Sequence, residues 1–546
     1  MYNTFRAQGR SRSAERDFPT SCNRVIRWTF FQPVMRTPGN LKGGHVPTNP
    51  EVVRLNLEYY RKQAKALLKS AKAGDAKALH RLRVCSPKLT QDLALHDSQL
   101  TVAREQGFPS WPRFRAFIVE SNLNFQELVA AFIDAATSDF ERAEQTLSAH
   151  PKIAGAGFYV ALVLGNHELV DRALAETPSL TNAKSGPQDC EPLIYTCFSR
   201  YANSGSSRAP DLVETARVLL RHGADPNTYF LPEDLPNNPL SCLYAATGLN
   251  NNVGLGRVLL EAGANPNDNE SLYHATEHPD LTCMKLLLRY AAKPNGTNAL
   301  KHMLDREDTE GLQLLLDAGA DPNETNERGE TALLWAVWRG RSVGINSTLL
   351  DHRADINAKR KDGRTAYALA IVAGRKDVAE LLKLRGANTD LTALDEFVNS
   401  CSNAGQNEIV APPGLEALQE YKHLIPHLAS VHNTAAVRAL LAAGLPIDAR
   451  GEHGGTALHW ACWKGYADLA KLLIDHHASL NIRDQSFNAP PSGWLHHGTQ
   501  NCGEPNGDHA EVARLLIAAG APMEGCNLPT GNAEVDAVLR EHKLIE

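Results

Sequence analysis

The densest concentration of potential metal ligands in this chain lies toward its C-terminal end: His476, His477, His496, His497 and His509, with Cys502 among them. Imidazole nitrogen and thiolate sulfur are donors that Zn²⁺ favours. Their spacing follows no common zinc module, and two adjacent histidines point in different directions on any regular element. They read as solvated loop and helix-surface residues, and no metal is expected. Other catalytic signatures fail at a defined residue. His167-Glu168 opens like the H-E-x-x-H zinc helix, but Asp171 stands where the second ligand belongs. Gly254-x-Gly256 lacks the third glycine of a dinucleotide loop, and neither a G-x-x-x-x-G-K-[ST] phosphate loop nor a G-x-S-x-G turn occurs. No catalytic, cofactor-binding or metal residue is assigned, no small-molecule substrate is expected, and the chain is not expected to be an enzyme. An atypical site would have to lie in the loops 184–210 or 484–509.

Recognition chemistry is better represented. Trp335 and Trp338 follow Thr331 by four and seven residues, and Trp460 and Trp463 follow Thr456 by the same four and seven. A cation, Arg339 or Lys464, comes directly after the second tryptophan of each pair. Tryptophan and arginine are over-represented among residues that dominate protein interfaces. Charged turns accompany them: Glu327, Arg328 and Glu330 at one; Lys359, Arg360, Lys361 and Arg364 at the next; Glu452 and His453 at a later one.

The elements that hold these residues can be read from composition and periodicity. Of the 546 residues, 43% are hydrophobic and 6% aromatic, with a net charge of −6, an ordinary balance for a soluble protein and an unusual one for a whole-surface nucleic-acid binder. Ten scattered cysteines form no C-x-x-C pair, so reduced thiols and a cytoplasmic location are expected. No apolar run approaches the roughly 18 residues that cross a bilayer. Residues 1–50 carry many arginines, few acids and no helical period; they read as a disordered basic arm, a targeting segment, or a start-site artefact with Met35 as the alternative start. Residues 51–122 read as a helical module, with Phe108 and Trp111 as a packed plug beside prolines.

From about residue 123 a repeat takes over. One phrase recurs as LLRHGADPN at 219–227, LLEAGANPN at 259–267 and LLDAGADPN at 315–323, with weaker copies at 287–295 and 349–357 and divergent ones ending at Asp390, Asp448, Asn481 and Glu524. Its chemistry is local. Two leucines close a helix on its buried face. Glycine takes the left-handed position after the helix end, alanine lets the next unit approach, and asparagine can bond backbone in the following loop. Ala291, Arg353 and His477 replace the glycine, so their units should be softer. A second motif opens a helix in the same phase: Thr331-Ala332-Leu333-Leu334-Trp335-Ala336, Thr365-Ala366-Tyr367-Ala368-Leu369-Ala370 and Thr456-Ala457-Leu458-His459-Trp460-Ala461. Each threonine should cap its helix. Stretches 184–210, 228–239, 399–413 and 484–509, rich in Pro, Gly, Ser or Asn, read as surface loops.

These two motifs, in phase at a 33- to 34-residue step, make region 123–546 resemble ankyrin-repeat proteins, in about eleven units, several degenerate. More narrowly, Ala73-Gly74-Asp75, Ala103-Arg104-Glu105, Gly107-Phe108-Pro109-Ser110-Trp111-Pro112 and the stretch Glu270–His278 are similar to long bacterial ankyrin proteins with a helical leader. The resemblance implies an all-α solenoid of helix–turn–helix units with β-turn tips, preceded by a small helical module. It also implies an interaction scaffold or adaptor for a partner protein, with Trp338, Arg339, Trp463 and Lys464 on the concave side, and Trp335 and Trp460 nearer the core. Arg328, Glu330, Lys361, Arg364 and His453 would be the contacts at the tips. The partner's identity is unknown. No membrane role is expected, and nucleic-acid binding, which would need the basic arm and the tip at 359–364, is the weaker alternative. Of the histidines that open ankyrin first helices, only His459 is present, which leaves interior capping elsewhere in question.

Overall fold

The structure is a computed structural model that describes residues 56–85, 93–108, 110–232, 237–326, 328–403, 423–501, 507–523, 525, 526, 528 and 530–542. The arm 1–50, Cys502, Glu327 and Glu524 lie outside the described residues. Two compact units are distinguished, the division falling near residues 224 and 225, with 203–205 in the second.

In the first unit, helices Leu57–Lys72, Ala76–Cys85, Leu95–Glu105 and Trp111–Ser121 bury Ala64, Leu67, Leu82, Val102, Phe114 and Ile118 in one core. Phe108 and Trp111 pack on Phe114, with ring centroids 5.1 and 6.0 Å away. Helix pairs follow: Phe125–Ser138 with Phe140–Ala149, Phe158–Leu164 with His167–Glu176, and Pro192–Phe198 with Ala209–Arg221.

The second unit continues in the same style, a short first helix followed by a longer second one. Examples are Ala299–Met303 with Thr309–Asp317, Ala332–Trp338 with Val343–Asp351, Ala366–Val372 with Lys376–Leu384, and Ala457–Lys464 with Ala467–Asp475. Leu259, Leu287, Leu315 and Leu349 are fully buried, as the repeated phrase requires. The residue after the second helix is left-handed throughout: Gly263 and Gly319 at φ 96° and 89°, but also Ala291, Arg353 and His477 at 62°, 66° and 64°. A side chain there costs about 1 kcal/mol relative to glycine, so these three units carry strain that their neighbours lack.

The asparagine of the phrase reaches farther than its own loop. Asn323 Nδ2 donates to the Arg353 carbonyl at 3.0 Å, and its Oδ1 accepts the Asp355 N–H at 2.6 Å. Asn295 makes the same two bonds to Gly319 and Asp321, and Asn227 to Gly263 and Asn265. One side chain thus ties each unit to the next, and nearest-neighbour stacking is what stabilises such arrays.

Capping survives without the missing histidines. The Thr331 and Thr365 hydroxyls accept the amides of Leu334 and Ala368 at 3.4 and 3.3 Å. At Thr456 the arrangement differs. Its N–H donates to His459 Nδ1 at 3.1 Å, which leaves the ring proton on Nε2, facing the Ala489 carbonyl at 3.2 Å. His459 is fully buried, and burial pushes its pKa down to about 4. The unfolded chain therefore binds a proton that the folded chain refuses between pH 6.5 and 4. This contribution is intact above pH 6.5 and lost as the pH falls toward 4, by on the order of 3 kcal/mol. Denaturation midpoints followed from pH 7.5 to 4.5 should fall more steeply in the native chain than in His459→Gln; parallel profiles would contradict the assignment.

Three of the expected surface loops contain core helices. Pro192–Phe198, inside 184–210, is buried at every residue. Pro491–Asn501, inside 484–509, buries Trp494 and Leu495. Ala393–Asn403 overlaps 399–413, buries Phe397, Val398 and Cys401 in the same core as Leu424 and Leu440, and stands at the start of the long step between Asp390 and Asp448. Proline at the first helical position starts the first two of these helices instead of breaking them. Within 228–239, Tyr229–Phe230 pairs antiparallel with Leu240–Ser241.

Candidate functional site: a cationic cavity at the helix hairpins

The first and second helices of successive units meet in short hairpins, and in the second unit several of these line one cavity of about 420 Å³. Trp338, Arg339, Gly340, Arg341 and Ser342 come from one hairpin and Arg375 from the next. Ser430, Val431 and His432 come from a third, Trp460, Lys464 and Tyr466 from a fourth, and Glu307 from the unit before.

Each cation is placed by a specific bond. Arg339 Nη2 pairs with Asp305 at 2.7 Å, and its guanidinium lies 5.0 and 5.1 Å from the Trp335 and Trp338 ring centres. Asp305 also accepts Trp335 Nε1 at 3.2 Å. Arg341 is 2% exposed; its Nε and Nη2 donate to the Arg339 carbonyl at 3.1 and 2.7 Å, and Glu307 lies 3.9 Å from Nη1. Arg375 closes a two-point pair on Asp377 at 2.9 and 2.8 Å and also donates to the Gly340 carbonyl. Lys464 Nζ lies 5.2 Å from the Trp463 ring centre. His432 stacks flat on Tyr466 at 3.7 Å and bonds Asp468 at 2.7 Å. Arg339 Nε is buried with no hydrogen-bond partner among the described residues.

The residues expected to contact a partner are thus placed unequally. Trp338 is partly exposed and lines the cavity. Its counterpart Trp463 is not equivalent: it is 4% exposed, enclosed by Trp460 and Trp494 at 5.3 and 6.0 Å. Trp335 is partly exposed, whereas Trp460 is 4% exposed. Arg339 and Lys464 reach the cavity but are themselves 8% and 6% exposed. At the tips, charge is largely consumed within the molecule. Arg328 pairs with Glu452 at 2.9 Å, the buried Glu330 with Arg360 at 3.4 Å, and Arg364 with the buried Asp395 at 2.8 Å. The His453 carbonyl accepts the Gln485 amide. Lys361 stays exposed.

Arg341, Arg375, His432 and Tyr466 were missed by motif reading. Their signal is positional: Gly340-Arg341, Gly374-Arg375 and Gly465-Tyr466 each follow a first helix with a left-handed glycine, and His432 is itself left-handed at φ 59°. The stretch Glu270–His278 is internally satisfied. His274 is bonded by Glu270 and Glu277, both at 3.1 Å, and Arg306 Nη2 donates to the His278 carbonyl at 2.9 Å. Burial opposes the His274 charge, but the two glutamates outweigh it and raise the pKa to about 9. Of the C-terminal histidines, His476 and His477 are exposed at a helix end, and His509 Nε2 donates to the Trp463 carbonyl at 2.9 Å. Among the described residues, no group of three His, Cys, Asp or Glu side chains is placed to hold a metal, and no helix is long and apolar enough to cross a membrane.

Thr-capped first helices, a left-handed residue closing the second helices of the second unit, and asparagine staples between neighbours define a helical repeat array. The chain contains ankyrin repeats: the family model for ankyrin repeats (3 copies) matches residues 299–393 and 401–484, the ranges that hold all the residues lining the cavity. Over 199 residues the chain is 27% identical to Inversin of Mus musculus, a match covering 36% of this chain and 15% of that protein's length.

Proposed function

We propose that this chain is a scaffold or adaptor that binds a partner protein, and that the contact centres on the hairpin cavity, on the side that ankyrin arrays keep concave, more than on the turn tips. The observation that carries this is the cavity itself. It joins Trp338, Trp460 and Tyr466 to four cations drawn from three units, the residue mix in which interface hot spots concentrate. Ankyrin units stack into extended binding surfaces, which supports a macromolecular partner. The pairing of Arg328, Arg360 and Arg364 with carboxylates argues for the face over the tips, and takes away much of the charge a nucleic-acid interface at 359–364 would use.

The test compares capture of proteins from the native cell by the full chain and by Trp338→Ala. A protein retained by the native chain should bind the variant about 2 kcal/mol more weakly. Equal retention by both would count against this face as the interface.

A further inference from the structure

We propose that helix Leu57–Lys72 binds the backbone phosphates of double-stranded nucleic acid, without reading base sequence, at a site other than the hairpin cavity.

This helix carries Lys62, Lys65, Lys69 and Lys72, spaced by three, four and three residues. That spacing keeps four side chains on one face. All four are exposed, while Ala64, Leu67 and Ala71 fill the core from the other side. At 1.5 Å per residue the stripe is about 15 Å long. Its charge survives a full count. Over residues 56–85 and 93–108, nine Lys and Arg stand against Glu58, Asp75, Asp97 and Glu105, and the intervening 86–92 adds one of each, Lys88 and Asp92. The four carboxylates are engaged away from the stripe. Glu58 lies 3.6 Å from Arg61, and Glu105 closes a two-point pair on Arg81 at 2.8 and 2.7 Å. Asp75 accepts the Lys77 amide at 3.2 Å, and Asp97 the Ala94 amide at 2.8 Å. None of the four stripe lysines has an ion-pair partner among the described residues. The helix dipole accounts for Lys69 and Lys72, which lie in the last turn, but not for Lys62 and Lys65. Like charges three and four residues apart repel, a cost that a polyanion would relieve. The wider sequence points the same way. Residues 1–122 hold 21 of the 56 Lys and Arg but only 9 of the 62 Asp and Glu. The remainder is acidic, so a polyanion is drawn to this region and repelled by the rest.

The surroundings of the stripe select among polyanions. Among the described residues, the one large apolar side chain exposed on this helix is Tyr59, in its first turn. A protein interface is depleted in lysine and alanine and needs aromatic or arginine anchors, which the stripe lacks. A helix lying on a membrane buries its apolar face in lipid, and here that face is already spent in the core. Single strands are held by stacking on aromatic platforms. A duplex needs only cations, because it presents one negative charge per about 1.7 Å of axis. Lysine meets phosphate as a point charge, and such contacts fix position without reading bases.

The experiment uses the full chain and fluorescein-labelled DNA and RNA duplexes of mixed sequence, about two helical turns long, with fluorescence anisotropy as the readout. Saturable binding of at least one duplex is expected at about 50 mM salt, falling steeply as salt rises. The chain carrying Lys62→Gln, Lys65→Gln, Lys69→Gln and Lys72→Gln together should bind about tenfold more weakly or worse. Its plot of log affinity against log salt should be shallower by about three to four. Glutamine matches lysine in helix propensity, so this variant should fold, and melting curves establish it. If it does not, Lys65→Gln with Lys69→Gln should flatten the slope by about two. Residues 1–50 are unchanged in both variants, so the loss is specific to the stripe. Absence of saturable binding to either duplex, or unchanged affinity and slope in a folded variant, would overturn the proposal. Tighter binding of the single strand than of the duplex would overturn it too. Sedimentation with phosphatidylserine vesicles in the absence of duplex binding would reassign the stripe to a membrane surface.

Discussion

Replacing Trp463 with alanine is expected to destabilise the chain by about 3–5 kcal/mol, the range for deleting a large aromatic side chain from a closed core. Trp463 is packed between Trp460 and Trp494 and supports the Lys464 side chain. Its own carbonyl anchors His509, so relaxation around the vacated space is restrained by the neighbouring unit. The lost contacts belong to a stack held by nearest neighbours, so the defect should appear as early melting of units from about residue 457 onward. Trp338→Ala removes a partly exposed ring over Arg339 and should cost much less, about 1–2 kcal/mol. Chemical denaturation of the two variants side by side measures this. Equal losses, or a larger loss at Trp338, would mean that the burial described for these two side chains is wrong.

Gly498→Ala is expected to cost about 3 kcal/mol or more, an overpacking effect at the upper end of what cores show. A Cβ at this helical position would press on the Trp463 carbonyl oxygen, with the carbonyl carbon at 2.8 Å and His509 Nε2 at 2.9 Å. None of these is the loose end of a flexible side chain. Helix Pro491–Asn501 would have to move off helix Ala457–Lys464, breaking the His509 bond and opening the aromatic cluster. In an exposed helix the same change would stabilise, because alanine favours the helix by about 1 kcal/mol. The sign therefore discriminates: a Gly498→Ala chain that melts at or above the native temperature would refute the close approach of these two helices.

What could be read from the sequence depended on whether a residue acts locally. The left-handed helix ends, the buried leucine pairs and the threonine caps each concern a few consecutive residues, and the phrase that encodes them repeats in phase. Helix Pro192–Phe198 escaped notice for the opposite reason. It is buried on all sides, so it has no polar face and no amphipathic period. Helix Pro491–Asn501 reads as loop because its prolines and glycines serve a helix start and a close helix–helix contact. The tryptophan pairs make the same point. Trp338 and Trp463 hold the same offset from their threonines, yet only Trp463 has Trp494 from the next unit against it; four residues after Thr365, the place that corresponds to Trp494 in the unit after Trp338, stands Leu369. Burial of an interior repeat residue is decided by its neighbour, a unit away in sequence. The tip charges misled similarly, because Arg328 finds Glu452 across 124 positions.

Hydrogen exchange on the chain, alone and with a bound partner, tests the central claim most directly. The account predicts slowed exchange on binding at the amides of Arg339–Ser342, Arg375–Lys376 and Val431–Asn433, the hairpins around the cavity, with the turn tips at 359–364 and 451–455 little changed. Protection confined to those tips, or to the outer second helices, would contradict it.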